Sequence, residues 1–326
     1  YKEFSLPNGI RVVHRQVTNT KILHCGIILD VGSRDEQPEE YGIAHFWEHM
    51  AFKGTRKRKA YHIINSLDSV GGELNAYTTK EKICFYASIL DGFADKAVAL
   101  LADITFDSVF PEKQIHRERQ VILEEMAMYK DNPEDAIQDD FDEQVFADHE
   151  LGHNILGTSE TVKSFKREHF NRFIARNIDT SKVIVSFVGN ISERKVRRLV
   201  TKYLGHLDGA SSSRQRQSFE TYQPTNIALA RNDMQAHYAM GRPAYAIHDK
   251  KRVAFSMLVN LLGGPSMNTR LNLALREKLG FVYSVEANYQ TYTDSGLFAI
   301  FFGTEIKNLK RSVKVVDKEL SRLRTQ

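Results

Sequence analysis

The chain has 326 residues, 42% hydrophobic and 26% charged, the balance of an ordinary globular protein long enough for two domains. No stretch approaches the roughly 18 consecutive apolar residues of a membrane span. The net charge of +4 comes with dispersed basic residues, neither a basic face nor an aromatic stacking platform being visible, which argues against a nucleic-acid-binding module.

In chain order, residues 4–13 read as a strand pair entered through an Asn8-Gly9 turn, and 22–31 as a second strand carrying Cys25. Helical patterns follow at 42–52 and 61–70, then a Gly71-Gly72 break and strands at 73–78 and 82–90, the latter carrying Cys84. The two cysteines form neither a zinc-ribbon nor a redox pattern. Arg56-Lys57-Arg58-Lys59 reads as a solvated loop between helices. Three longer helical patterns cover 93–106, 111–129 and 133–147, the last two opening on proline, whose missing N–H costs nothing in a first turn. A loop at 151–158, helices at 159–165 and 169–177, a strand at 182–188 and a helix at 193–204 close this part. Residues 209–218 are small, polar and without periodicity, and are expected to be an exposed, mobile linker.

Beyond the linker the order repeats: strands at 226–231 and 235–242, a helix at 250–262, a Gly263-Gly264 break, a helix at 269–279, strands at 281–289 and 296–303, and a helix from Lys307. The expected fold is therefore α+β, two tandem homologous domains, each a mixed, mostly antiparallel sheet with helices packed on it. The boundaries are 1–208, a linker at 209–222, and 223–326. The second copy lacks counterparts of 111–204 and is expected to be truncated.

The chemistry gathers on His45-Phe46-Trp47-Glu48-His49, which reads H-x-x-E-H within the helix at 42–52. Positions i, i+3 and i+4 share a helix face, so two imidazoles and one carboxylate point the same way. Imidazoles suit Zn²⁺, and a catalytic zinc takes three protein ligands, so one more is needed. In Glu118-Arg119-Gln120-Val121-Ile122-Leu123-Glu124-Glu125, Glu118 and Glu125 lie two turns apart on one face while Glu124 points away. A carboxylate on a mostly apolar face needs compensation, which a metal ion supplies. By phase, Glu125 is the third ligand, and Glu118 is placed to hydrogen-bond a ligand or the zinc water.

The H-x-x-E-H run, followed after about 75 residues by E-R-x-V-x-x-E-E, resembles the inverted zinc-binding motif of the pitrilysin/insulinase family of metallopeptidases. The likeness extends over almost the whole chain, as far as Gly303. It implies one Zn²⁺ on His45, His49 and Glu125, with Glu48 as general base. It also implies an inactive second domain that contributes Arg276 and Tyr283, seven residues apart in LREKLGFVYSV, to the bound peptide. Tyr283 would donate to the developing oxyanion and Arg276 to a peptide carbonyl. ELNAYTT at 73–79 resembles the strand on which family members dock substrate as an added strand, with Asn75 and Ala76 at the contacting positions.

The function so implied is a zinc-dependent endopeptidase acting on peptides or unfolded segments, as a homodimer or as a heterodimer with a paralogous subunit. A cytoplasmic location is expected, no signal peptide being visible, although an opening on Tyr1 rather than Met leaves a processed leader open. A non-catalytic assembly subunit, or an enzyme active only beside a partner chain, are the competing readings. The intact H-x-x-E-H argues against the first of these.

Overall fold

The computed structural model describes residues 1–231 and 233–325. The chain forms two compact units, Tyr1–Met126 with His153–Arg216 and Ala127–Gly152 with Gln217–Gln326.

The first unit is built on a sheet of six strands, β1 (Lys2–Ser5), β2 (Arg11–Gln16), β3 (Ile22–Leu29), β4 (Glu73–Thr78), β5 (Ile83–Leu90) and β6 (Ile184–Gly189). Their order is β1-β2-β6-β3-β5-β4. The β2–β6 pair is parallel and the others antiparallel, which makes the sheet mixed as expected. Asn8-Gly9 does form the turn between β1 and β2, with Gly9 at φ +93°. In β3 the alternation puts Leu23, Cys25, Ile27 and Leu29 into the core.

Between β3 and β4 run α1 (Ile43–Ala51) and α2 (Ala60–Asp68), and after β5 come α3 (Ala94–Phe106) and α4 (Glu112–Asp131). The division between units falls inside α4. α5 (Pro133–Val145) belongs to the second unit, while α6 (Ser159–Ser164), α7 (Arg167–Asn177) and α8 (Glu193–Leu204) return to the first. α1 buries Phe46 and Trp47 completely: Phe46 meets Phe170 edge-on at 5.2 Å between centroids and Trp47 meets Phe173 at 6.3 Å. Such pairs add about 0.5–1.5 kcal/mol each to the area they bury. With one face locked into aromatic packing, the rotation of α1 about its axis is set, and so is the direction of its histidines.

The start of α1 is set as firmly. The Glu36 carboxylate accepts from the Gly42 and Ala44 amides at 2.9 and 2.8 Å, satisfying donors that a helix N-terminus leaves unpaired. Gly42 has φ +96° and Gly157 has φ +77°, and the two backbones meet so closely that a Cβ on Gly42 would lie 2.4 Å from the Leu156 oxygen. Strain and overlap together make Gly42→Ala costly, about 2–5 kcal/mol. Its denaturation midpoint should fall accordingly; an unchanged midpoint would mean that this crossing is not held tightly.

The stretch 209–218 departs from the expected exposed linker. It has no regular structure, yet alternate side chains are drawn inward. Arg216 bonds both oxygens of Asp35 at 2.9 Å and pairs with Asp30 at 3.0 Å, and Arg214 pairs with the same two aspartates at 3.1 and 3.0 Å. A composition of serines and glutamines hid two arginines matched to carboxylates far away in sequence.

The second unit holds β7 (Ala236–Pro243), β8 (Val282–Thr291) and β9 (Gly296–Thr304) in the order β7-β9-β8, with α9 (Arg252–Gly263) between β7 and β8 and α10 (Leu309–Thr325) after β9. All its pairings are antiparallel, so this sheet is not mixed. Its order and sense repeat those of β3-β5-β4. α5 packs here, Phe141 standing edge-on to Phe301 at 5.8 Å. The strand expected at 226–231 is absent: Ile227 and Leu229 alternate as in a strand but are 58% and 64% exposed, with no sheet surface to cover. The helix expected at 269–279 is a π-helical turn at Asn272–Glu277. Among the described residues, no helix is long and apolar enough to cross a membrane.

Candidate metal centre

α1 and α4 position the site. On α1, His45 and His49 lie one turn apart with their rings edge-on at 4.5 Å between centroids. α4 brings Glu118 and Glu125 to face them, Ile122 between them being fully buried and Glu124 exposed, as the phase argument requires. One ligand atom from each of His45, His49 and Glu125 lies within 4.8 Å of the others. His45 Nε2 is 3.8 Å from Glu125 Oε1 and His49 Nε2 is 3.6 Å from Oε2. These separations are too long for hydrogen bonds. They come near the roughly 3.3 Å that tetrahedral geometry sets between donors bonded to zinc at about 2.0–2.1 Å.

The electrostatics suit a cation. Burial, reinforced by the charge of His49, pushes the His45 pKa down to about 3, so this imidazole is neutral with its lone pair available. Its Nδ1 is buried without a hydrogen-bond partner, and its Nε2 faces Glu125 at 3.8 Å. Burial raises the Glu125 pKa, His49 opposing and Glu118 reinforcing the shift, and a cation between the three would reverse it. Two imidazole nitrogens and one carboxylate oxygen, converging without a hydrogen bond between them, fit zinc.

Glu48, on the same turn as His45, has its pKa raised by burial, against the hydrogen bond from Thr78 and the charge of His49. Thr78 Oγ1 donates to Glu48 Oε2 at 2.6 Å and so aims it from β4. Glu118 accepts from His49 Nδ1 at 3.0 Å and from Lys53 Nζ at 2.6 Å. Burial works upward on its pKa, but those two hydrogen bonds and the Lys53 charge outweigh it and the net direction is down. Thr78 and Lys53 escaped the sequence reading. Thr78 lies on the strand singled out for substrate, whereas Lys53 falls beyond the end of α1, where no periodicity marks it.

The other candidates are on other elements. Asn75 and Ala76 are on β4, the end strand of its sheet, where Asn75 Oδ1 accepts from the Ala76 amide at 2.8 Å. Arg276 and Tyr283 belong to the second unit, the guanidinium carbon 5.6 Å from the centroid of a ring that is 84% exposed.

A His-His-Glu triangle on two facing helices, with the buried Glu118 carboxylate beside it, makes this a candidate metal centre. Residues 11–159 match the profile of the Insulinase (Peptidase family M16) family, and 164–326 match that of the Peptidase M16 inactive domain. The uncharacterized zinc protease YmxG of Bacillus subtilis is 34% identical over 99% of this chain and 78% of its own length. An uncharacterized zinc protease of Rickettsia bellii is 35% identical over 98% of this chain and 80% of its own. The fold is shared with a peptidase M16 inactive domain structure from Pseudomonas fluorescens, TM-score 0.92 at 17% identity, over 98% of this chain and 78% of that one. A protease from Helicobacter pylori gives TM-score 0.89 at 23% identity, over 97% and 79%. The chain belongs to the M16 peptidase family.

Proposed function

We propose that the chain is a zinc-dependent endopeptidase acting on peptides or unfolded segments, with His45, His49 and Glu125 holding one zinc and Glu48 as general base. The observation that carries this is the convergence of the two Nε2 atoms and the Glu125 carboxylate with Glu48 on the adjoining turn. Zinc held there supplies Lewis acidity, polarising a peptide carbonyl and lowering the pKa of water to about 7. Glu48, aimed by Thr78, would act as the general base that takes a proton from the attacking water and returns it to the leaving amine. β4, as an end strand, offers its backbone to an extended peptide, with Asn75 and Ala76 at the contact. Arg276 and Tyr283 are the groups of the second unit assigned to the substrate, a carbonyl and the oxyanion respectively.

The functional division follows the same reading: a catalytic domain over 1–208, a connector over 209–222 and an inactive homologous domain over 223–326. Its support is the recurrence of β3-β5-β4 as β7-β9-β8, with α9, which has neither His nor Glu, after the first of those strands as α1 is in the first unit.

Zinc content per chain and cleavage of a quenched peptide library test this together. The expected result is one zinc per chain and cleavage that a chelator removes and added zinc restores. Purified protein that takes up no zinc overturns the reading; stoichiometric zinc without cleavage returns the choice to a non-catalytic or partner-dependent subunit.

A further inference from the structure

We infer that Lys53 is a positioning residue for the metal centre, acting through Glu118 to decide which of two glutamates faces the metal and how His49 is oriented. This rests on the reading of the centre as a zinc site.

α4 presents two carboxylates toward α1, Glu118 and Glu125, and the assignment that helix phase suggests is held in place by side-chain partners. The choice is made by what each oxygen of Glu118 already holds. Oε1 accepts from His49 Nδ1 at 3.0 Å and Oε2 from Lys53 Nζ at 2.6 Å, so both are occupied by donors that are not the metal. Glu125 is left facing the two Nε2 atoms, at 3.8 and 3.6 Å.

Lys53 can reach because the chain stays curled past the end of α1: its amide donates to the Met50 oxygen at 3.0 Å, which folds residue 53 back under the last turn. A cation there also complements the negative end of α1. Its ammonium meets a carboxylate that is 7% exposed, and a buried carboxylate oxygen stripped of its donor turns to find another partner. Without Lys53, Oε2 has lost its donor and is free to turn toward the cation that Glu125 faces.

A second consequence concerns His49. A carboxylate can only accept, so Nδ1 donates, and the neutral tautomer compatible with that bond is the one that leaves the Nε2 lone pair for a zinc ion. Lys53 holds the group that holds that tautomer.

The test is zinc affinity of the full chain, by competition with a chromophoric chelator, together with the visible spectrum of the Co²⁺-substituted protein. Lys53→Met should weaken zinc binding about 10–100-fold, the range for losing a partner of a metal ligand, and alter the Co²⁺ bands. Lys53→Arg, keeping a donor for Oε2, should recover most of the loss. Because Lys53 acts through Glu118, the double variant Lys53→Met/Glu118→Gln should bind no more weakly than Glu118→Gln alone. Unchanged affinity in Lys53→Met, no rescue by arginine, or losses that multiply in the double variant each overturn the inference. Wild-type protein that takes up no zinc is a different failure: it removes the zinc reading, and this inference with it.

Discussion

Glu48→Gln should retain one zinc per chain and lose at least about 10²–10⁴-fold in kcat/KM, the contribution of a positioned general base. The substitution is close to isosteric, and Thr78, whose hydroxyl donates to Glu48 at 2.6 Å, can donate as well to an amide oxygen. The side chain therefore keeps its place, and what changes is its capacity to take a proton. Glu48 is not one of the three groups that converge, so zinc uptake should not follow activity down. Burial raises its pKa, in the direction that makes a carboxylate a better base toward water. Zinc content by metal analysis and kinetics on one quenched peptide decide the matter. Full activity in a metal-loaded sample free of contaminating peptidase would remove Glu48 from the reaction; loss of zinc would make it part of the metal's own support.

Most of what places this site is local in sequence, which is why it was legible. The i, i+4 spacing of His45 and His49 and the two-turn spacing of Glu118 and Glu125 are properties of single helices. Once α1 and α4 are helical, the buried Ile122 and the exposed Glu124 fix the phase of the second. What was not legible depends on groups distant in sequence or on geometry outside the regular elements. Thr78 reaches Glu48 across 30 positions, and Lys53 reaches Glu118 from beyond a helix end. Arg214 and Arg216 looked like linker residues because Asp30 and Asp35 lie about 180 positions away. The alternation of Ile227 and Leu229 was a correct pattern with nothing to pack on. The helix expected at 269–279 forms, but its wider π winding over Asn272–Glu277 leaves no trace in the sequence pattern.

His49→Ala removes more than a proposed ligand. Its imidazole offers Nε2 toward Glu125 and Nδ1 to Glu118, so the substitution takes one corner from the triangle and leaves the other two, His45 and Glu125, 3.8 Å apart with no third donor between them. Zinc affinity should fall by more than about 100-fold, the upper end of the cost of losing merely a ligand's supporting partner. The metal-free protein should be affected far less. The His49 side chain is 22% exposed, and Glu118 keeps its bond to Lys53 at 2.6 Å, so the buried carboxylate is not left without a partner. Those two expectations separate in one experiment. Zinc at 100 times its Kd adds about 2.7 kcal/mol to the stability of a protein that binds it only when folded. Wild type should show a zinc-dependent rise in Tm, whereas His49→Ala should show none while its metal-free Tm stays close to that of wild type. A variant that still rises with zinc as wild type does would show that the ligand set is wrong. A variant whose metal-free Tm collapses would show that His49 is first a structural residue of the α1–α4 contact.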